Sequence, residues 1–210
     1  MLQYTFPAGP LACNCSIIAA EGAREAFVID PGDRIDFILQ WLTGRNLRLG
    51  GILITHAHID HIGGAARLRQ ATGAPVYLNP EDQFLNEGLE WQAQWLGVPT
   101  PESAPVDAAL RANQVLTLGG LSLQVLETPG HTPGSVCLYL PSEERIFAGD
   151  TLFAGSIGRT DLPGGDGEKI LRSIRDQLLP LPDATRVIAG HGPETTIGQE
   201  RIHNPFLRNL

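Results

Sequence analysis

The stretch Thr55-His56-Ala57-His58-Ile59-Asp60-His61 decides the organisation of this chain, because it places three imidazoles and a carboxylate in six consecutive residues. The apolar run 51–55 precedes it and predicts a buried strand that ends where these side chains begin. Histidine and aspartate are common metal ligands, so the stretch predicts a metal-binding loop. Chance clustering in a polar surface loop is the alternative, but three of the chain's six histidines lie here.

The spacing within this loop indicates two binding points. His56 and His58 are two residues apart, so in an extended loop their rings point to the same side. Asp60 and His61 lie where the chain turns into the helix expected after Gly63 and can face a second point. One loop can therefore serve two metal ions.

Composition and charge limit the function classes. With 210 residues, 42% of them hydrophobic, we expect one globular domain over residues 1–210. The formal net charge of −8 offers no basic surface, so we expect no nucleic-acid partner. No apolar run has transmembrane length and no leader pattern opens the chain, so we expect a cytoplasmic protein without a membrane partner.

The three cysteines predict buried thiols rather than disulfides. Their number is odd, and Cys13 and Cys15 are too close along a strand for a normal disulfide. A redox or metal-binding Cys13–Cys15 pair is the alternative. Both residues lie in an apolar stretch, which favours burial in a reducing compartment, as for Cys137.

Strands and helices alternate along the first half of the chain. Residues 2–6, 14–20 and 25–30 predict an antiparallel start, and the apolar spacing over 35–42 predicts a helix. Residues 75–78 predict a further strand after the helix that follows the histidine-rich loop. The sequence over residues 80–113 predicts a helix followed by a proline-rich loop, an insertion that we call the cover because we expect it to lie over the sheet. Its apolar side chains can either line a pocket or pack inside, and we interpret them as packing: Phe84, Leu85, Trp91, Trp95 and Leu96.

Three predicted strands in the second half each end next to one candidate ligand. The strand Leu121–Glu127 precedes His131, the strand Arg145–Gly149 precedes Asp150, and the strand 186–190 precedes His191. Taken singly, these residues read equally well as a loop histidine, a helix cap and a core imidazole. Together with the histidine-rich loop they predict one metal centre assembled at strand ends.

The pattern His-x-His-x-Asp-His over 56–61, followed by His131, Asp150 and His191, resembles the metallo-β-lactamase superfamily over nearly the whole chain. This resemblance implies an α/β fold, a four-layer αββα sandwich of two mixed β-sheets with the site along one edge. It also implies seven metal ligands, which are His56, His58 and His131 for the first ion, Asp60, His61 and His191 for the second, and Asp150 as the bridge.

Other segments resemble the short, type II glyoxalase II enzymes within that superfamily. These are residues 155–165, 191–193 and 204–207. The resemblance implies a hydroxyacylglutathione hydrolase that binds a small-molecule thioester, with two divalent ions holding a bridging hydroxide that Asp60 orients. Only nineteen residues follow His191, so we expect no helical domain like that of the longer enzymes, and a homo-oligomer in which a neighbour completes the pocket is one alternative.

Metal identity and substrate contacts are less sharply indicated. We expect zinc, with iron or manganese as alternatives, because histidine and carboxylate ligands suit all three. Arg159 follows Asp150 by nine residues in a glycine-rich turn, so we expect it to contact the substrate or anchor the loop. A solvated arginine that pairs with Asp161 is the alternative.

Rival activities share parts of this ligand set. Zinc β-lactamases usually lack the bridging aspartate, and nuclease relatives generally need further substrate-gripping domains. The stronger rival is a persulfide dioxygenase with a single iron ion. This chain resembles such enzymes in the segment around Arg159, and the resemblance implies that His56, His131 and Asp150 alone would hold the iron. A non-catalytic metal-binding protein is a third alternative, which undetectable turnover on a panel of thioesters would favour.

Overall fold

The first of two six-stranded sheets contains the N-terminal half of the chain. The computed structural model describes residues 1–208 and 210. The first three strands are antiparallel, and the fourth to sixth then run parallel to the third, so the sheet is mixed. Its strands, in both chain and spatial order, are β1 Leu2–Ala8, β2 Cys13–Ala19, β3 Glu25–Ile29, β4 Arg48–Leu53, β5 Val76–Leu78 and β6 Ala108–Ala109.

The second sheet contains the C-terminal half, in the spatial order β14-β13-β10-β9-β8-β7, and it too is mixed. The hairpin β11–β12 lies outside both sheets. The strands of this half are β7 Val115–Leu118, β8 Leu121–Glu127, β9 Val136–Leu140, β10 Arg145–Gly149, β11 Leu152–Phe153, β12 Ser156–Ile157, β13 Arg186–Ala189 and β14 Thr195–Thr196.

Helices cover the outer face of each sheet. Short 3₁₀ turns precede α4 and β10, at Pro80–Asp82 and Pro141–Glu143, and a π-helical turn, Ile174–Leu178, extends α6. The helices are α1 Ile35–Thr43, α2 Ile59–Ile62, α3 Ala65–Thr72, α4 Gln83–Glu87, α5 Leu89–Leu96, α6 Gly167–Ser173 and α7 Ile197–His203. None of the described helices combines the length and apolar character needed to cross a membrane.

Three hydrophobic cores match this layering. One lies between the sheets, where Phe27 and Leu53 of the first sheet meet Leu138 and Phe147 of the second. The other two lie between each sheet and its helices. Alternate residues of a strand face opposite sides, so strands apolar on both faces are expected where both sides are covered. The predicted four-layer αββα sandwich of two mixed sheets is therefore confirmed.

Strand direction explains why the candidate ligands meet. β8 and β10 are both antiparallel to β9, and β13 is parallel to β10, so β8, β10 and β13 all end at the same edge of the second sheet. The end of β4 lies at that edge as well, because the amide of Val136 donates a 2.9 Å hydrogen bond to the carbonyl of Thr55. The four segments that follow these strands therefore converge.

The cover differs from its sequence interpretation. The predicted helix is interrupted at Gly88, which separates α4 from α5. Leu85 is fully buried, as expected, but Phe84, for which the packing interpretation is wrong, is 44% exposed, and Trp91 and Trp95 are 40% and 62% exposed. The packing interpretation is wrong for these tryptophans, because their helical spacing turns them towards the ligand edge instead of the core.

Candidate metal centre

The histidine-rich loop leaves β4 and enters α2, and this path aims its side chains in two directions. His56 lies in the irregular segment between them, and His58 is the extended residue before the helix, with φ −70° and ψ 148°. Asp60 and His61 lie in the helix itself. His56 and His61 are fully buried. The predicted loop therefore presents two faces to the interior of the site.

Three imidazoles form what we call the first ligand group, consisting of His56, His58 and His131. The Nδ1 atom of His58 lies 3.1 Å from Nε2 of His56 and 3.0 Å from Nε2 of His131. Ligand nitrogens of one tetrahedral zinc ion, each about 2.0–2.1 Å from the metal, are separated by roughly 3.3 Å. The first ligand group can therefore hold a single ion.

Asp60, His61 and His191 form the second ligand group. The Oδ2 atom of Asp60 lies 3.1 Å from Nε2 of His191 and 3.7 Å from Nε2 of His61. The side chain of His191 is 29% exposed, so this group is reached from solvent more easily than the first. A second ion can bind here with mixed nitrogen and oxygen ligands.

Asp150 lies between the two ligand groups. Its Oδ1 atom is 3.4 Å from Nε2 of His61, and its Oδ2 atom is 3.5 Å from Nε2 of His131 and 3.7 Å from Nε2 of His191. A Cβ atom at Gly190 would lie 2.1 Å from Oδ1 of Asp150, so a glycine is required there. The structure thus brings together all seven side chains predicted from the sequence. Their role as ligands stays a prediction.

The electrostatics favour the metal-binding protonation states at only part of the site, because acidic neighbours outweigh burial and raise the pKa of His61 and His191. Burial, together with the neighbouring imidazoles, lowers the pKa of His56 well below its ordinary value and that of His58 to about 3. Burial alone would keep Asp60 and Asp150 protonated, but His61 and other imidazoles outweigh it and lower the pKa of both carboxyls. Neutral imidazole and ionised carboxylate are the ligand forms.

Hydrogen bonds at the far side of three imidazoles fix their tautomers. In each ring Nδ1 is held by an oxygen, so that Nε2 faces the centre as the nitrogen that can bind a metal. The three contacts are His61 Nδ1 with Asp30 Oδ2 at 2.9 Å, His131 Nδ1 with the Arg159 carbonyl at 2.7 Å, and His191 Nδ1 with the Leu11 carbonyl at 3.1 Å.

Asp30 is a supporting residue that the sequence reading missed. Its buried carboxylate holds His61 and also accepts hydrogen bonds from the Thr55 amide at 2.8 Å and the Thr55 hydroxyl at 2.7 Å. Asp30 is the last residue of the strand predicted over residues 25–30. Its position at the end of a buried strand is the same signal that identified Asp150, and it could have found this residue.

Asp82 is a second missed residue, and it connects two ligand-bearing loops. Its fully buried carboxylate accepts hydrogen bonds from the Ala57 amide at 3.0 Å, the Thr132 hydroxyl at 2.8 Å and the Gly134 amide at 2.6 Å. Ala57 belongs to the histidine-rich loop, and Thr132 follows His131. No pattern in the cover sequence distinguishes this aspartate from an exposed one.

Two polar atoms in the centre lack a hydrogen-bond partner among the described residues. They are Nε2 of His61 and Oδ1 of Asp150, both buried and only 3.4 Å apart. Buried polar atoms are nearly always paired with protein, water or an ion. A divalent cation fits this arrangement, since it would accept electron pairs from both atoms and the remaining donors are imidazoles and carboxylates.

A cavity of about 200 Å³ opens onto the two ligand groups. The indole rings of Trp91 and Trp95 and the side chain of Leu162 form apolar walls. Arg159 also lines the cavity, and its guanidinium donates two 2.7 Å hydrogen bonds to Asp161. Arg159 thus borders the site and pairs with Asp161, and a contact with the substrate stays a prediction.

The Asp82 contacts generate a stability prediction. Asp82→Ala removes the acceptor for three buried donors, each worth about 1–3 kcal/mol when left unsatisfied. We expect the free energy of unfolding of the metal-free protein to fall by at least ~3 kcal/mol in urea titrations followed by tryptophan fluorescence. The exposed neighbour Glu81 supplies the control, because Glu81→Ala should leave the unfolding free energy within ~0.5 kcal/mol. Equal stability of the two variants would contradict the connecting role.

Comparison with known proteins places this geometry in a family. Residues 8–191 match the profile described as the metallo-beta-lactamase superfamily. The chain is 42% identical to hydroxyacylglutathione hydrolase GloC of Haemophilus influenzae, covering 93% of each protein. It also resembles two crystal structures. One is the B3 metallo-beta-lactamase BLEG-1, with 41% identity, a TM-score of 0.92 and coverage of 99% of this chain and 100% of that one.

The other is TTHA1623 in a di-iron-bound form, with 42% identity, a TM-score of 0.87 and coverage of 97% of this chain and 100% of that one. The family profile spans all seven side chains of the two ligand groups and their bridge. The likeness to GloC and to both structures extends over nearly the whole length of each protein. The chain belongs to the metallo-β-lactamase superfamily, a superfamily of metallo-hydrolases.

Proposed function

We propose that this chain is a binuclear metal-dependent thioester hydrolase that acts on hydroxyacylglutathione-type substrates. The observation that carries the proposal is the position of Asp150, whose carboxylate lies within 3.7 Å of imidazoles from both ligand groups. Such a bridge and two complete groups suit a hydrolase with two ions, whereas an enzyme with a single ion needs only one group. The similarity to GloC supports the thioester as the substrate class.

In this proposal, the two ligand groups and Asp150 would hold two divalent ions, which would supply an activated water at neutral pH and a Lewis acid for the substrate carbonyl. Asp60 orients the attacking water, because only its Oδ2 atom is engaged by His191 and the carboxylate has capacity to accept a further hydrogen bond. The lowered pKa of Asp60 keeps it ionised for that role. The imidazoles position the ions, and their Nδ1 contacts prevent ring rotation.

The ionisable groups around the cavity fit a thiolate leaving group. Apart from the two ligand groups and Asp150, Arg159 is the only ionisable residue among the described residues that line the cavity. Its guanidinium stays protonated. An amine leaving group requires a proton donor, whereas a thiolate with a pKa near 8.5 departs without one. The cavity therefore favours thioesters over amides.

The cavity walls divide the substrate between two environments. Trp91, Trp95 and Leu162 supply an apolar surface for methylene and sulfur groups. Arg159 supplies a cation for a carboxylate of the thiol carrier, which would compete with Asp161 for the guanidinium. We propose zinc as the metal. Iron is the alternative, because the similar TTHA1623 was crystallised in a di-iron-bound form.

A second candidate is a persulfide dioxygenase with one iron ion. His131 and Asp150 approach each other to 3.5 Å, and with His56 they offer the two imidazoles and one carboxylate that suffice for oxygen chemistry. This candidate leaves the second ligand group without a function, which is why we favour hydrolysis. β-Lactam hydrolysis is a third activity to be assayed, because the chain is similar to BLEG-1.

Substrate assays on one protein preparation separate these activities. Zinc-loaded and iron-loaded enzyme are each given S-lactoylglutathione with thioester absorbance, glutathione persulfide in an oxygen electrode, and a chromogenic cephalosporin. We expect loss of the thioester as the fastest reaction, because both ligand groups are complete. Oxygen uptake with iron and no thioester loss with either metal would overturn the proposal, as would cephalosporin opening as the only reaction.

The cavity also generates a prediction for Arg159. Arg159→Met should raise KM for a glutathione thioester roughly twofold to fivefold and leave kcat nearly unchanged, because a partly screened contact to the carrier is lost. Arg175→Met is the matched control. Arg175 is likewise exposed and hydrogen-bonded twice to the next carboxylate, Asp176, but it does not line the cavity. Unchanged KM in Arg159→Met would show that this arginine only pairs with Asp161.

A further inference from the structure

A cysteine borders the second ligand group. Cys13 is the first residue of β2 and is fully buried. One ligand atom from each of Cys13, His61 and His191 lies within 4.8 Å of the other two. Sulfur and nitrogen ligands of one tetrahedral zinc ion, at about 2.3 Å and about 2.1 Å from the metal, lie roughly 3.6 Å apart, so the thiol has to move by at most about 1.2 Å to come into range.

The start of β2 is fastened to the segment that carries His191. The amide of Asn14 donates a 2.7 Å hydrogen bond to the Gly190 carbonyl, and its side chain donates to the carbonyls of Ala189 and Gly192, both at 2.9 Å. The Leu11 carbonyl in turn accepts from His191. Cys13 lies between these two fastening points. Its proximity to His191 is therefore imposed by the fold on both sides.

The acceptor that faces this thiol has no partner of its own. His61 is fully buried, its Nδ1 atom is engaged by Asp30, and its Nε2 atom lacks a hydrogen bond among the described residues. That nitrogen is thus an unpartnered polar atom of a side chain that forms one cluster with Cys13 and His191, and it lies on the same Asp60 oxygen as Nε2 of His191. An ion placed there would satisfy His61 and lie beside a sulfur atom.

We propose that Cys13 is a thiolate ligand of the metal ion held by the second ligand group. This inference rests on the proposed two-metal centre and deepens it. As the ion binds, the S–H bond of Cys13 breaks, the proton passes to solvent, and the sulfur electron pair forms the bond to the metal. The site then prefers thiophilic ions such as zinc, cobalt(II) or iron(II) over magnesium or manganese.

The other two thiols serve as internal controls. Cys15 lies two residues further along β2 and packs in the core between the first sheet and its helices. Cys137 contacts the Thr128 hydroxyl at 3.4 Å and the Ala148 carbonyl at 3.5 Å in the core of the opposite layer. In the part of the chain that the structure describes, neither belongs to a cluster of three ligand side chains.

Cobalt substitution tests the assignment through a spectrum rather than through activity. Full-length protein is freed of metal and loaded with two equivalents of cobalt(II), and its near-ultraviolet absorption is recorded. A thiolate bound to cobalt gives an intense sulfur-to-metal charge-transfer band, which imidazole and carboxylate ligands do not give. We expect this band in the unaltered protein, its loss in Cys13→Ser, and its retention in Cys15→Ala and Cys137→Ala.

The unaltered protein alone decides the question if Cys13→Ser does not fold. X-ray absorption at the zinc edge should show a sulfur neighbour at about 2.3 Å. Absence of both the band and the sulfur neighbour in protein that holds two ions would overturn the ligand role, as would a band that survives Cys13→Ser. These outcomes are independent of thioester turnover, whose failure would count against the proposed function alone. Failure to bind a second ion would overturn both.

Discussion

The buried carboxylate of Asp150 between the imidazoles of both ligand groups is the interaction on which the rest of the site depends. A charge buried at this depth is costly unless opposite charges and hydrogen bonds compensate it, and its Oδ1 atom, 3.4 Å from Nε2 of His61, makes no hydrogen bond among the described residues. Bound cations would provide the compensation. Metal binding and the packing of the strand ends at this edge are therefore coupled, and loss of the ions should loosen the edge where the sheets meet.

A shell of hydrogen bonds makes this arrangement rigid before any ion binds. Asp30 and Asp82 each join segments that are far apart in the chain, and each carboxylate accepts at least three hydrogen bonds. The shell limits the entropy that the ligands would lose on binding. The hydrogen bonds of these two buried carboxylates therefore both stabilise the fold and hold the imidazoles in place.

The predictive power of the sequence differed between strand ends and the cover. His56, Asp150 and their partners could be identified because ligand residues directly follow apolar, β-branched runs, and the sandwich followed from the family resemblance. Asp82 and the exposed Trp95 could not, because helical spacing does not reveal which face of a short helix meets the core. The position of Cys13 beside His191 is equally hidden, since it depends on contacts between residues more than 170 positions apart.

Anomalous diffraction from crystals grown with excess zinc tests the central claim most directly, because it locates each ion without reference to any substrate. The account predicts two peaks about 3.5–4 Å apart, one at each ligand group, with the carboxylate of Asp150 in contact with both. A single fully occupied peak at the first ligand group, with the second group empty and Asp150 bound to one ion only, would contradict it.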